Sequence, residues 1–498
     1  MIWMLFLLFS EPSGSTDLLA KYRAHVRFLA SDALEGREAT YSGQRVAAQY
    51  IATQLEMMGM EPGMGSSYFQ NFELEVTGID PSSIKYQIRG RGKALNEGAN
   101  LLALQVFDFG VYSKSGPIAF AGYGISNDDY DDYAGQDVRG HWVVIHHGKP
   151  KGDGPLFSKD EVSGTRFYHK YMTAVAKGAL GLIRIRDGEH SGHRTGVSIN
   201  LPGESEEDEE RHFPVFSLNE SDAEAFFGKH FKRYKKSLET IRLTEKPAPF
   251  VLKGRTFQSA YRTETESKPT ENVVAVLPGQ DPELKDEHIV ISAHYDHIGV
   301  SNAGVNNGAD DNASGVATLL NLAERLKEQD RRRSLTFLFL TGEEHGLLGS
   351  KYYVTDEAVS LDKIVANLNF DMVGRNAFGG LAIIPGQNDD VSSLNEWLKQ
   401  ANTENGHDMM LKEDQDRFHR RSDHYTFVKE GIPAVFFFGG IHDDYHQPGD
   451  DWELLDFDFM LKAHYLYEDF LLKTLNHDEK PKFLKDRDQS ASSSGSTN

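Results

Sequence analysis

The stretch "HIVISAHYDHIGVSNAGVNNGADDNASGVATLLNLAERL", residues 288–326, runs from an apolar segment through a Gly/Asn/Asp-rich passage into an amphipathic one. "HIVIS" is a continuous apolar run, as expected of a strand covered on both faces. Val316, Leu319, Leu320, Ala323 and Leu326 share one face of a helix predicted over 313–328. Between the two, Asp310, Asp311 and Asn312 stand side by side in a frame of Gly308, Ala309, Ala313 and Gly315. Adjacent carboxylates repel, and the small residues offer nothing to bury. The passage is therefore either a turn capping the helix or the seat of a cation.

The same alternation continues around it. "NVVAVLPG", "SLTFLFLTG", "IVANLNFD" and "IPAVFFFGG" are further apolar strands separated by helical patterns, which predicts an α/β fold with a mixed, mostly parallel central sheet flanked by helices. Upstream, "DLLAKYRAHVRFLASD" (17–32) and "RVAAQYIATQLEMMGMEPG" (45–63) have helical spacing. In the second, Val46, Tyr50, Ile51, Leu55 and Met58 form a stripe, and Gly59 and Pro62 end it. Residues 113–250 change texture, with short strands ("GPIAFAGYGI", "HWVVIHHG"), the helix-like "HKYMTAVAKGALGLIRI" and the acidic loop "GESEEDEER" (203–211). The expected organisation is a possible signal segment at 1–16, a main domain over 17–112 and 251–475, a small β-rich insertion at 113–250, and a disordered tail at 476–498.

Composition narrows the function. With 53 basic against 75 acidic residues, a net charge of −22 disfavours nucleic acid and anionic membrane as partners. The basic runs "KHFKRYKK" (229–236) and "RRR" (331–333) read as solvated faces. The absence of cysteine excludes disulfides, thiol nucleophiles and thiolate-bound metals. The apolar run at 2–9 is too short to span a bilayer and suits the core of a secretory signal, so a secreted or periplasmic location is expected. No G-x-S-x-G, H-E-x-x-H, Walker or dinucleotide fingerprint is present.

In open α/β sheets, ligands gather beyond the carboxyl ends of the strands. There the sequence places His294 and Asp296, Asp311, Glu343 and Glu344, Asp371, and then His442, His446 and Asp450. Singly, each has a bland reading as a cap, an Asx turn or a favourable first-turn charge. Together, so many carboxylates on one rim require a compensating cation. A His/carboxylate set without cysteine suits zinc or a similar divalent ion.

"HYDHIG", "GADDNASG", "TGEEHGLLGS", "NFDMVGRN", "RSDHYTF" and "YHQPGD", in this order, resemble the co-catalytic di-zinc aminopeptidase family. Its superfamily includes glutamate carboxypeptidases and the transferrin receptor. "LASDALEGREATYSGQRVAAQYIATQLEMMGMEPG" resembles that family's N-terminal segment, and "GPIAFAGYGI…DDYAGQDVRGHWVVIHHG" a protease-associated domain inserted into it. The resemblance implies two zinc ions per chain. His294 and Asp371 would hold one, Glu344 and His446 the other, and Asp311 both. Glu343 would be the general base for a water shared by the ions, and Asp296 would orient His294. Gln447 stands where many relatives carry Thr, and His442 is the one rival for His446. The implied activity is release of N-terminal residues from peptides with a free amino end. A carboxypeptidase, an aminoacyl (glutaminyl) cyclase or a non-catalytic binding ectodomain on the same scaffold are the alternatives, with Arg375 a candidate for holding a substrate carboxylate.

Overall fold

Apolar strands that cannot face water stack edge to edge, and their direction decides where the loops between them collect. The computed structural model describes residues 13–90, 104–105, 111–150, 156–157, 167–186, 197–203, 213–301 and 303–485. These divide into two compact units. One holds the described residues up to Leu74 and from Lys268 onward, the other those from Glu75 to Ser267.

The first unit is built on a sheet of strands β1 (Phe250–Leu277, by its last residues), β2 (His288–His294), β3 (Ser334–Leu340), β4 (Ile364–Phe370), β5 (Leu381–Ile384), β6 (Leu411–Lys412) and β7 (Ala434–Phe438). Across the sheet the order is β6-β5-β7-β4-β2-β3-β1. The pairs β2/β3, β2/β4, β4/β7 and β5/β6 are parallel, whereas β1 runs antiparallel to β3 and β5 antiparallel to β7. Every residue of β3, β4 and β7 is buried, so the sheet is covered on both faces and the continuous apolar runs are explained. The parallel pairing brings the carboxyl ends of β2, β3, β4 and β7 to one edge.

The helices are α1 (Ser13–Leu29), α2 (Ser42–Met57), α3 (Gly315–Leu326), α4 (Leu348–Thr355), α5 (Ser393–Glu404), α6 (His424–Lys429) and α7 (Phe457–Asn476). The predicted face of α3 is buried throughout. In α2 the stripe differs from the expectation. Ala47, Ala48, Ile51, Ala52 and Leu55 are buried, while Val46 is exposed. The alanines allow close approach of the helix to the core, which the bulkier Val46 face would not.

The second unit starts earlier and ends later than the expected 113–250, because strands outside those limits complete its sheet. Lys85–Gly90 and Val111–Phe120 both pair antiparallel with the first part of β1. Val111–Phe120, Trp142–His146, Gly181–Arg186 and Val215–Asn219 then follow in parallel. "HKYMTAVAKGALGLIRI" is two elements: a helix ends at Ala176, Gly178 turns the chain at φ +70°, and a strand begins at Gly181.

Two further expectations change. Residues 477–485 continue in ordered contact: Lys482 O accepts from Ser393 N at 2.9 Å, and Leu484 N donates to Val391 O at 2.9 Å. The arginines at 331–333 are structural ties. Arg333 is fully buried with Nε donating to Glu287 at 2.9 Å, and Arg332 reaches Asp281 at 2.8 Å and Asp478 at 2.6 Å. The expected signal segment, the acidic loop from 204 onward and the tail beyond 485 lie outside the described residues.

Candidate metal centre

The strand ends deliver their side chains one residue at a time. His294 closes β2, Asp371 directly follows β4, Glu343 and Glu344 open a 3-10 turn three residues beyond β3, and His446 lies on the loop after β7. Asp311 comes from the loop between β2 and α3, in a short π-helical passage with non-helical φ/ψ at Asp311 and Asn312. All five expected ligand positions and Glu343 come together.

The spacing fits metal coordination. His294 Nε2 lies 3.2 Å from Asp371 Oδ1 and 3.3 Å from Asp311 Oδ1. His446 Nε2 lies 3.3 Å from Asp311 Oδ2 and 3.0 Å from Glu344 Oε2. Zinc–ligand bonds of about 2.0–2.2 Å in a tetrahedron set donor atoms roughly 3.4 Å apart, close to these separations. Asp311 turns one oxygen toward each group. The donor set therefore fits divalent-cation coordination.

The charges fit as well. Burial pulls His446 down, yet Glu344 and Asp311 carry it up to about 10. Burial likewise opposes protonation of His294, but Asp371 and Glu343 hold it well above its ordinary value. Protons on the histidines thus stand in for positive charge. Glu343 is raised well above the usual carboxylate range by burial, against the pull of His294 and with the help of Asp371, Glu344 and Asp423. Buried charges left uncompensated cost several kcal/mol each, so a cluster of this kind demands cations.

Neighbouring residues fix the ligands. His294 Nδ1 lies 3.2 Å from the carbonyl oxygen of Asp296 and 3.6 Å from its Oδ1, so the backbone carbonyl is the nearer orienting group. Asp296 Oδ1 also accepts from Glu343 N at 3.2 Å, tying the two loops together. Ser422 Oγ donates to Asp371 Oδ2 at 2.7 Å. Asp450 Oδ2 accepts from the backbone N–H of Asp310 and Asp311, both at 3.0 Å. His442 is occupied elsewhere, 3.3 Å from Asp310 Oδ2. Arg375 is paired with Asp444 at 2.9 Å, with Asp450 at 3.9 Å. Met372 and His446 have positive φ, +53° and +56°, an uncommon backbone state for such side chains that clusters at functional sites.

Three participants were not evident in the sequence. His297 is fully buried with Nδ1 2.7 Å from Glu344 Oε1. Asp423 is fully buried behind Asp371, and burial pushes it up to about 7. Arg37 donates from Nε to Tyr295 O at 2.8 Å, from Nη1 to Asn307 O at 2.7 Å and from Nη2 to Gly308 O at 2.9 Å. It thereby stitches the two metal-side loops from the N-terminal segment. Only His297, at one remove from "HYD", carried a signal in its residue type.

Residues 272–469 match the family model described as "Peptidase family M28". The chain is 34% identical over 183 residues to a probable leucine aminopeptidase 2 of Aspergillus oryzae, covering 35% of this chain and 34% of that protein. It is 25% identical over 352 residues to aminopeptidase YwaD of Bacillus subtilis, covering 67% of this chain and 65% of the relative. The chain thus spans from about a third to just under two thirds of the length of these curated relatives. The solved structure of BSAP, a zinc aminopeptidase from Bacillus subtilis, superposes with a TM-score of 0.61 at 19% identity, covering 93% of this chain and 96% of that one. At that identity the likeness shows a common fold. Residues 272–469 thus resemble peptidase family M28, and the ordered motifs and the ligand-like cluster they bring together fall within that stretch.

Proposed function

We propose that this protein is a two-zinc aminopeptidase that removes N-terminal residues from peptides with a free amino end. The observation that carries the proposal is Asp311, whose two oxygens each lie 3.3 Å from a different histidine in two distinct donor groups. In this reading His294 and Asp371 hold one ion, Glu344 and His446 the other, and Asp311 both. Bound there, two zinc ions supply Lewis acidity that lowers the pKa of a shared water from 15.7 towards about 7.

The chain's own groups then move the proton. Glu343, with Oε2 4.0 Å from His294 Nε2, is close enough to the cluster to take it and to return it to the departing amine. Asp296, accepting from the Glu343 amide, keeps that residue over the cluster.

An apolar group adjoins the cluster. Met372, Ala382, Ile384, Phe436 and Phe438 are buried together, with Phe378, Phe418 and Tyr445 packed against them. Met372 follows Asp371 and Tyr445 precedes His446, so this core reaches the chain beside two of the proposed ligands. The carboxypeptidase alternative needs a free cation for the substrate carboxylate, and Arg375 is already paired with Asp444. Secretion belongs to this reading on the strength of the apolar run at 2–9.

Glu343→Gln is expected to retain two zinc ions while turnover of unblocked leucyl anilide falls by at least a thousandfold. N-acetylated substrates should be refused by the parent enzyme. Parent-rate turnover in Glu343→Gln, or equal cleavage of blocked and free substrates, would overturn the proposal.

A further inference from the structure

We propose that His297 is a positioning residue for the second metal position. Its Nδ1–H occupies Glu344 Oε1, so that only Oε2 faces the ion alongside His446 Nε2 and Asp311 Oδ2. The inference rests on the two-zinc reading above and deepens it.

Two histidines approach Glu344, and their distances separate their roles. His297 Nδ1 lies 2.7 Å from Glu344 Oε1, the length of a charge-assisted hydrogen bond and too short for two donors on one tetrahedral ion. The same nitrogen is 3.8 Å from Asp311 Oδ2, beyond a hydrogen bond. His446 Nε2 is 3.0 Å and 3.3 Å from Glu344 Oε2 and Asp311 Oδ2, as ligands of one ion would be. The two rings stand nearly perpendicular, 77° apart with centroids at 5.6 Å, so they address the carboxylate from different sides.

The tautomer follows from the surroundings. Among the described residues, Nε2 of His297 is buried without a hydrogen-bond partner. A proton there would be an orphaned buried donor, so the neutral ring carries its proton on Nδ1, toward Glu344. The neighbouring loop leaves room for that ring by lacking a side chain. A Cβ at Gly308 would lie 2.6 Å from His297 Cδ2 and Cγ, and its φ of +57° also favours glycine. Holding Oε1 restrains Glu344 to one oxygen on the ion, which leaves a coordination position open, as a catalytic zinc site requires.

The test compares His297→Leu and His297→Asn. Stepwise zinc affinity is measured by competition with a chromophoric chelator, and anomalous scattering from crystals assigns each position. The wild type should take two ions. His297→Leu should keep the ion at His294/Asp371 within about threefold and weaken the one at Glu344/His446 by about 10–100-fold. His297→Asn, whose amide N–H replaces the Nδ1 donor, should recover affinity to within about threefold of wild type. Wild-type affinities in His297→Leu, equal losses at both positions, or His297→Asn as weak as His297→Leu would overturn the role. Should His297→Leu fail to fold, His297→Asn decides: retained affinity at the second position supports the role, and selective loss there overturns it. A wild type that takes fewer than two ions would instead overturn the two-zinc reading itself, and this role with it.

Discussion

Gly308 sets how closely the Asp311 loop can approach its neighbours. A Cβ at this position would lie 2.1 Å from the Asp311 carbonyl oxygen, which is backbone and cannot swing away. Gly308→Ala is therefore expected to displace Asp311 and weaken both metal positions at least tenfold, lowering the melting temperature as well. Zinc titration and thermal unfolding check it, and wild-type zinc affinity would count against the role given to this glycine. At this scale the sequence was informative where chemistry is carried by residue type. His294, Asp311, Glu343, Glu344, Asp371 and His446 stand out because a His or carboxylate beyond an apolar strand has few structural reasons to be there. Arg37 and Asp423 did not stand out. Arg37 works through backbone carbonyls, three of them 258 or more residues away in sequence. Contacts to the main chain leave no complementary residue type to notice.

Among the elements, α1, α3 and α7 meet at a small polar knot in the core. Tyr22 OH lies 2.8 Å from His464 Nδ1 and donates to Thr318 Oγ1 at 3.2 Å. His464 is fully buried, and burial, with Arg325 adding to it, pulls its pKa from 6.5 to about 3. The folded state thus keeps the ring neutral while the unfolded chain protonates it near 6.5. This contribution to stability is complete above pH 6.5 and is lost progressively as pH falls toward about 3. At roughly 1.4 kcal/mol per pH unit, about 2 kcal/mol is lost between pH 6.5 and 5. His464→Asn should lose about that much less than wild type over this interval, as measured by urea unfolding. Identical pH slopes would show that the ring does not titrate this way. Helix faces were readable from periodicity in α3 but less so in α2, where close packing selects alanines over the larger residues that hydrophobicity favours.

For the whole molecule, each of the two units has its own apolar core, one gathered around Leu320, Phe337 and Phe437, the other around Trp142, Phe216 and Phe257. The ligand-like cluster belongs entirely to the first. Chelation should therefore lower one calorimetric transition and leave the other in place, and added zinc should restore it. At a free zinc concentration of 100 times Kd, the restored unit gains about 2.7 kcal/mol. A chelator that shifts both transitions equally, or neither, would contradict that assignment. The alternation of strands and helices after residue 271 made the sheet legible in advance. The boundary at Glu75 was not, because Lys85–Gly90 joins its sheet through a partner about 170 residues further along the chain.

The divided course of the first unit bears on how the molecule is made. The strand pairs that join β1 to β7 begin at Val273, while α1 and α2 must wait for partners that leave the ribosome some 200 residues later. The intervening unit is nearly continuous and can fold as soon as it emerges. During translation the early helices therefore spend many seconds with an uncovered apolar face, at ordinary elongation rates of about 5–20 residues per second. Chaperone dependence in this chain should concentrate on its first seventy residues.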